Sequence, residues 1–334
     1  MRHPCASAKI VGMPSDFRAD QALLTALGPV YARRHVSTHI LLSCIGKDQH
    51  VQEFLAAYDL TTHVIRQGVR GMDEEPGKVE VPLAGQQDRS LTLSTAGAAA
   101  FARCRQQPSV TGQGIERSPA DLLVAILDDP SCGAVSFLNG CGVDVVALQR
   151  AVRSGQVPAV EDAVPPELRS TRDALVGRRR YKPRELGQFW TTLLVRVMPM
   201  NAAAHPVLWA RLEAGELAGQ HGGKVRTDDV LLGMLRTYAV AQAYPHLTKA
   251  AKADYDGGRI LVETGVDHER VRAVMARTDL GRDTVPPREL LKDTMAGGTC
   301  DLLDRLLSEP GNRSVRLLAA LDVEPAALRR PAGS

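Results

Sequence analysis

Aromatic side chains are scarce in this chain of 334 residues: they make up 4%, and Trp190 and Trp209 are the only tryptophans. A β-sandwich draws on aromatic and β-branched residues, so the shortage disfavours one. Alanine and leucine fill the gap, which favours helices packed through small contacts. The six cysteines (Cys5, Cys44, Cys104, Cys132, Cys141, Cys300) offer no C-x-x-C pair and no paired spacing, which excludes a disulfide miniprotein. Cys44 and Cys104 fall inside apolar helical patterns, where buried free thiols are common.

Large excess charge is absent too. With 41 basic and 38 acidic residues the net charge is +3, so a nucleic-acid face would have to be concentrated locally. Met1 to Asp20 has no sustained apolar core, hence no signal peptide is expected and the cytoplasm is the expected compartment. The cleanest apolar run, Phe189 to Met200, is too short for a bilayer and is interrupted by Arg196. It reads as a buried helix, and no membrane contact is expected. What is present is ordinary for globular proteins, 44% hydrophobic and 24% charged residues. The length suits two domains.

One pattern recurs four times. The first copy runs Ser37-Thr38-His39-Ile40-Leu41-Leu42, then Val51 to Tyr58, then Asp59-Leu60-Thr61. The second runs Pro119-Ala120-Asp121-Leu122-Leu123, then Ala134 to Asn139, then Gly142-Val143-Asp144. The third runs Thr227-Asp228-Asp229-Val230-Leu231-Leu232 and, much later, Gly265-Val266-Asp267. The fourth runs Thr299-Cys300-Asp301-Leu302-Leu303, then Val315 to Leu321, then Asp322-Val323-Glu324. Pro119 to Asp144 and Thr299 to Glu324 each span 25 positions and Ser37 to Thr61 spans 24. Thr227 to Asp267 spans 40, about fifteen more than the other copies set as standard. A Ser or Thr at a helix start accepts hydrogen bonds from free amides, and an acid there complements the helix dipole. Each copy is too small to bury its apolar face alone, so copies stack in pairs.

Longer helices precede most copies, at Ala19 to Arg34, Leu93 to Arg105 and Val207 to Ala218, with a shorter one at Pro287 to Met295. The expected fold is all-α, with two double-repeat helical domains. The first covers 1–153, with half-repeats near 19–68 and 93–153. A proline-rich linker with a basic run follows at 154–182, and the second, more divergent domain covers 183–330. Gly68 to Leu91 reads as an irregular loop with a short extended piece at Val79-Glu80-Val81.

These residues resemble the Clp N-terminal domain, the double-repeat helical module at the front of Clp unfoldase ATPases. The best matches are Ser37-Thr38-His39-Ile40-Leu41 and Cys141-Gly142-Val143-Asp144, echoed by Val266-Asp267. The resemblance covers roughly 19–153 and 203–330 and implies four half-repeats without the ATPase motor. A phosphate-cradling loop needs G-x-x-x-x-G-K-[ST]. The nearest approach, Gly219 to Val225, is one spacer short and puts Val225 where the hydroxyl belongs. The resemblance also implies recognition of substrates, adaptors or phosphorylated arginine through an acid of the motif. The matching positions are Thr38, Ala120, Asp228 and Cys300, of which only Asp228 is a carboxylate.

No Ser-His-Asp order, H-E-x-x-H or Cys/His ligand spacing appears, so no catalytic residue, cofactor or metal is expected. Arg178 to Arg184 carries Tyr181 within a basic run that could hold phosphates and stack a base, or could be a solvated linker. The third copy's insertion, 237–256, holds Tyr238, Tyr244 and Tyr255. Tyrosine gives large contact area with a polar tip, so these three with His246 are candidate ligand-binding residues; the alternative is that they pack on the domain. Phe17 and Leu93 are the first-domain candidates, because they resemble the family's start-of-helix apolar residues. The expectation is a non-enzymatic binding protein for a peptide-like ligand, a Clp-directed compound or a Clp partner, acting as adaptor, decoy or sequestering protein. The alternatives are a DNA-associated regulator using the arginine run and an enzyme that has recruited the cleft between repeats.

Overall fold

The computed structural model describes residues 17–31, 33, 35–70, 72, 79–82, 90–110, 112, 114–181, 201–248, 251, 254–291 and 298–328. The chain is predominantly helical and divides into two compact units, Met1–Glu161 and Asp162–Ser334. Among the described residues no helix is long and apolar enough to cross a membrane. The expected helix at Phe189 to Met200 and Trp190 lie outside the described residues.

In the first unit, α1 (Gln21–Leu27) is shorter than the sequence pattern suggests, because Gly28-Pro29 turns the chain into a 3₁₀ turn. Next come α2 (Thr38–Ile45), α3 (Gln49–Ala56) and α4 (Thr62–Gly68). A hairpin of β1 (Val79–Pro82) and β2 (Ser90–Leu93) follows, pairing Val79 with Leu93 and Val81 with Leu91. Then α5 (Thr95–Gln106), α6 (Pro119–Leu127), α7 (Gly133–Gly140) and α8 (Val145–Ser154) complete it. Ser94 caps α5 by accepting the Gly97 N–H, and Ser118 and Asp121 cap α6 reciprocally.

The second unit starts inside the stretch expected to be linker. Val164, Leu168, Leu175 and Val176 are buried there, and α9 (Arg169–Leu175) forms. The prolines end at Pro166, and beyond it the apolar spacing is helical. The remaining helices are α10 (Pro206–Gln220), α11 (Thr227–Ala243), α12 (Pro245–Thr248), α13 (Asp256–Glu263), α14 (His268–Arg277), α15 (Pro287–Leu290), α16 (Thr299–Leu307) and α17 (Arg313–Ala319). The insertion lengthens α11 to 17 residues, against 8 for α2 and 9 for α6 and α16, and adds α12. Gly233 lets α11 press against α10; a Cβ there would lie 2.5 Å from the Ala210 carbonyl oxygen.

Two local devices recur. A left-handed residue ends a helix at Asp59, Gly142, Gly265 and Asp322. The next residue returns its N–H to the carbonyl five positions back each time: Leu60 to Leu55, Val143 to Leu138, Val266 to Leu261 and Val323 to Leu318. This closes the last helical turn and drives an apolar side chain inward. Second, a threonine at a helix start accepts an N–H from the first turn of another helix. Thr38 takes that of Ala134 on α7, Thr227 that of Ser314 on α17, and Thr299 that of Gly257 on α13. In the second unit the exchange is reciprocal. These bonds set Thr38, rather than Ser37, level with Thr227 and Thr299. The first-copy counterpart of Asp228 is therefore His39, one place later than the sequence spacing suggests.

Candidate functional site

The start of α11 gathers a dense buried polar cluster among the described residues of the second unit. Thr227 donates its backbone N–H and its hydroxyl to the Asp283 carboxylate at 3.0 and 2.5 Å, and Arg313 donates its backbone N–H to the same group at 2.8 Å. Asp228 is fully buried and is gripped by the Arg313 guanidinium, Nε to Oδ1 at 2.9 Å and Nη2 to Oδ2 at 2.7 Å. This is the two-pronged fork in which arginine pairs most strongly with a carboxylate. The guanidinium's third arm reaches the Gly281 carbonyl. Asp228, which the resemblance would offer to a foreign guanidinium, is therefore already occupied by an arginine of its own chain.

Asp229 folds back to accept the Arg226 N–H at 2.9 Å, and His221 Nε2 lies 3.1 Å from it. Burial, with the Asp228 charge second, pushes the Asp229 carboxyl up to about 6. A carboxyl raised on folding contributes stability that is complete below its unfolded value and is lost as pH climbs through the folded one. Relative to Asp229→Asn, the native protein should lose about 2 kcal/mol of unfolding free energy between about pH 4 and about pH 7.5. Urea melts of both proteins across that window measure it; parallel curves would refute it.

Beside this cluster a cavity of about 770 Å³ opens, lined by Lys224 and Arg226, by the 278–283 loop, and by Arg313. Lys224, Arg226 and Arg282 make no ion pair among the described residues, while Asp279 turns its carboxylate to the Gly281 N–H. Asp279 and Asp283 line the same cavity, but the cations outnumber them, and that excess at one concave site suits an anionic ligand group. Sequence reasoning missed this site because the cations come from separate segments. Its one legible trace is Lys224, noticed for the glycine-rich turn that fails as a nucleotide loop.

Four of the six residues expected to bind ligand are buried. Phe17 is buried against the Phe101 ring, 4.9 Å between centroids, and Leu93 is the fully buried end of β2 rather than a helix start. Both belong to the first unit's core. In the second unit Tyr255 is buried, donates its hydroxyl to the Ala203 carbonyl at 2.8 Å and meets Trp209 edge-on. Tyr244 is buried at the end of α11 with the half-buried His246 ring 6.0 Å away. Tyr238 is half-buried over Gly258 of α13. Tyr244 and Tyr255 are thus packing groups, and Tyr238 is the one tyrosine of the insertion that keeps partial exposure.

Residues 182–184 of the basic run lie outside the described residues, and two of its three described arginines are paired. Arg179 pairs with Glu216 at 2.7 Å, Arg178 lies 3.7 Å from Asp173, and Arg172 bonds Asp162 and Asp173. Tyr181 donates its hydroxyl to Glu213 and accepts the Trp209 indole N–H at 2.8 Å, which ties its polar tip down. Glu213, buried on α10, also receives Thr171 and Arg236. Comparison with protein-family models, curated proteins and solved structures finds no match for this chain.

Proposed function

We propose that the protein is a non-enzymatic recognition protein built from two double-repeat units of the Clp N-terminal kind, without a motor. It captures a peptide-like ligand or a Clp partner through an anionic group seated in the cleft of the second unit. The four identical turns and the threonine caps that cross between helices support the repeat reading. The observation that carries binding is the trio Lys224, Arg226 and Arg282 around one cavity, which with Arg313 outnumber the lining carboxylates Asp279 and Asp283. Those side chains are partly or fully exposed and can be changed without opening the core. The pairing of Arg178 and Arg179 with acids weighs against the DNA-binding alternative.

Calorimetry with Clp unfoldase and with Clp-directed cyclic peptides tests the reading. At least one should bind, and the triple change Lys224→Glu, Arg226→Glu, Arg282→Glu should weaken it by about tenfold or more, or about 1.4 kcal/mol, at unchanged melting temperature. Undiminished binding by the triple variant would move the site elsewhere, and silence from the whole panel would remove the proposed ligand class.

A further inference from the structure

Glu167, His268 and Glu269 lie far apart in sequence but each places a ligand atom within 4.8 Å of the other two. Two rigid pieces bring them together. Glu167 sits in the 3₁₀ turn Pro166–Leu168, anchored by buried Leu168 and by the Arg236 guanidinium, which donates to the Glu167 backbone carbonyl. His268 and Glu269 open α14, whose first amides, those of Glu269 and Arg270, are already taken by the Asp267 cap at 2.9 and 2.8 Å. The helix end is thus not left seeking an anion, and the carboxylates face a neighbour of their own sign.

An independent observation points to a cation. His268 Nε2 is shielded from solvent and has no hydrogen-bond partner among the described residues. A shielded imidazole nitrogen on a ring that lies beside two carboxylates is an uncommon thing to leave unpaired. A proton there would still leave a buried N–H without an acceptor, and burial disfavours the charged ring, whereas a metal ion would use the nitrogen's lone pair. Neighbouring guanidiniums do not bond the group: Arg236 is committed to Glu213 and to the Glu167 carbonyl, and Arg272, exposed one turn along α14, acts on Glu167 through its charge without an ion pair to the three among the described residues.

We propose that Glu167, His268 and Glu269 bind a divalent transition-metal ion, with Zn²⁺ the best chemical match. One imidazole and two carboxylates form a nitrogen and oxygen set that suits zinc and its neighbours rather than Mg²⁺ or Ca²⁺, which favour all-oxygen cages. Ligand atoms around tetrahedral zinc lie about 3.3–3.6 Å apart. The present spacing of up to 4.8 Å would have to close on binding, and Glu269 is the exposed member of the three. Three protein ligands leave a coordination position for water or for a group from a bound molecule. The ion would pin the 166–168 turn, and with it α9, to the start of α14.

The test uses the full chain, stripped with chelator and titrated with ZnCl₂, CoCl₂ and MgCl₂ in a calorimeter. Zinc should bind with about one equivalent at micromolar affinity or better and raise the melting temperature. His268→Ala and Glu167→Gln should each weaken it by about tenfold or more. Cobalt should give a nitrogen and oxygen spectrum without thiolate charge transfer. No saturable zinc binding overturns the proposal, and so does equal binding by both variants. A thiolate signature would place the zinc on cysteines, and magnesium binding as tight as zinc would mark a generic acidic patch. Either result overturns it as well.

Discussion

Replacing Arg313 with alanine lowers the unfolding free energy of the second unit by about 3–5 kcal/mol, the cost of leaving one charge of a buried pair alone. Asp228 is wholly shielded, and both of its oxygens are served by the Arg313 fork. Without the guanidinium, the carboxylate must take up a proton or admit water, and the Gly281 carbonyl loses its donor as well. The neighbouring Asp229 worsens matters, since a second acid lies next to the first. The double change Asp228→Leu with Arg313→Met should recover most of the loss, because an apolar pair of similar volume removes the desolvation cost of both ions. Chemical denaturation of the wild type, both single variants and the double variant gives the coupling energy. A loss below about 1 kcal/mol for Arg313→Ala would mean that the pair is solvated and exchangeable like a surface bridge. Asp228 would then be open to a foreign guanidinium.

Much of the scaffold is legible in the residue order because it rests on local chemistry. The Ser and Thr helix starts, the Gly-Val-Asp turns and their spacing each follow from a few adjacent residues, and the left-handed Gly142 and Gly265 announce themselves. Asp59 and Asp322 adopt the same conformation without a glycine, so only the recurrence of the pattern reveals them. The sequence leaves the register at Thr38 open by one residue because Ser37 is also a good cap. The choice between them is settled by Ala134, which lies 96 positions away. The site is less legible for the same reason. Asp228 and Arg313 are 85 residues apart, and Glu213 collects Thr171, Tyr181 and Arg236 from three segments. Composition made scarce tyrosines look like ligand groups, whereas burial and the hydrogen bonds of their hydroxyls are properties of packing.

Truncating Tyr255 to alanine costs about 3–5 kcal/mol of stability and leaves ligand affinity per folded molecule intact, the reverse of what a ligand-facing residue would give. The ring is 3% exposed and packs edge-on against the fully buried Trp209, 6.4 Å between centroids. Its removal leaves a void beside one of the largest side chains of the core. It also strips the Ala203 carbonyl of its donor. The site cannot readily collapse to fill the space. Tyr255 directly precedes α13, and two residues on, a Cβ at Gly257 would come within 2.2 Å of the Thr299 carbonyl oxygen. Backbone movement there is blocked. Tyr255→Phe separates the two contributions: it keeps the ring and loses only the hydroxyl bond, so about 1–2 kcal/mol should suffice. Melting both variants by denaturant and titrating each with the same ligand decides the matter. A stable Tyr255→Ala protein with weakened binding would return the insertion to the role that its tyrosines first suggest. A destabilised protein that binds normally fixes the insertion as a brace for α11 and leaves recognition to the basic cleft.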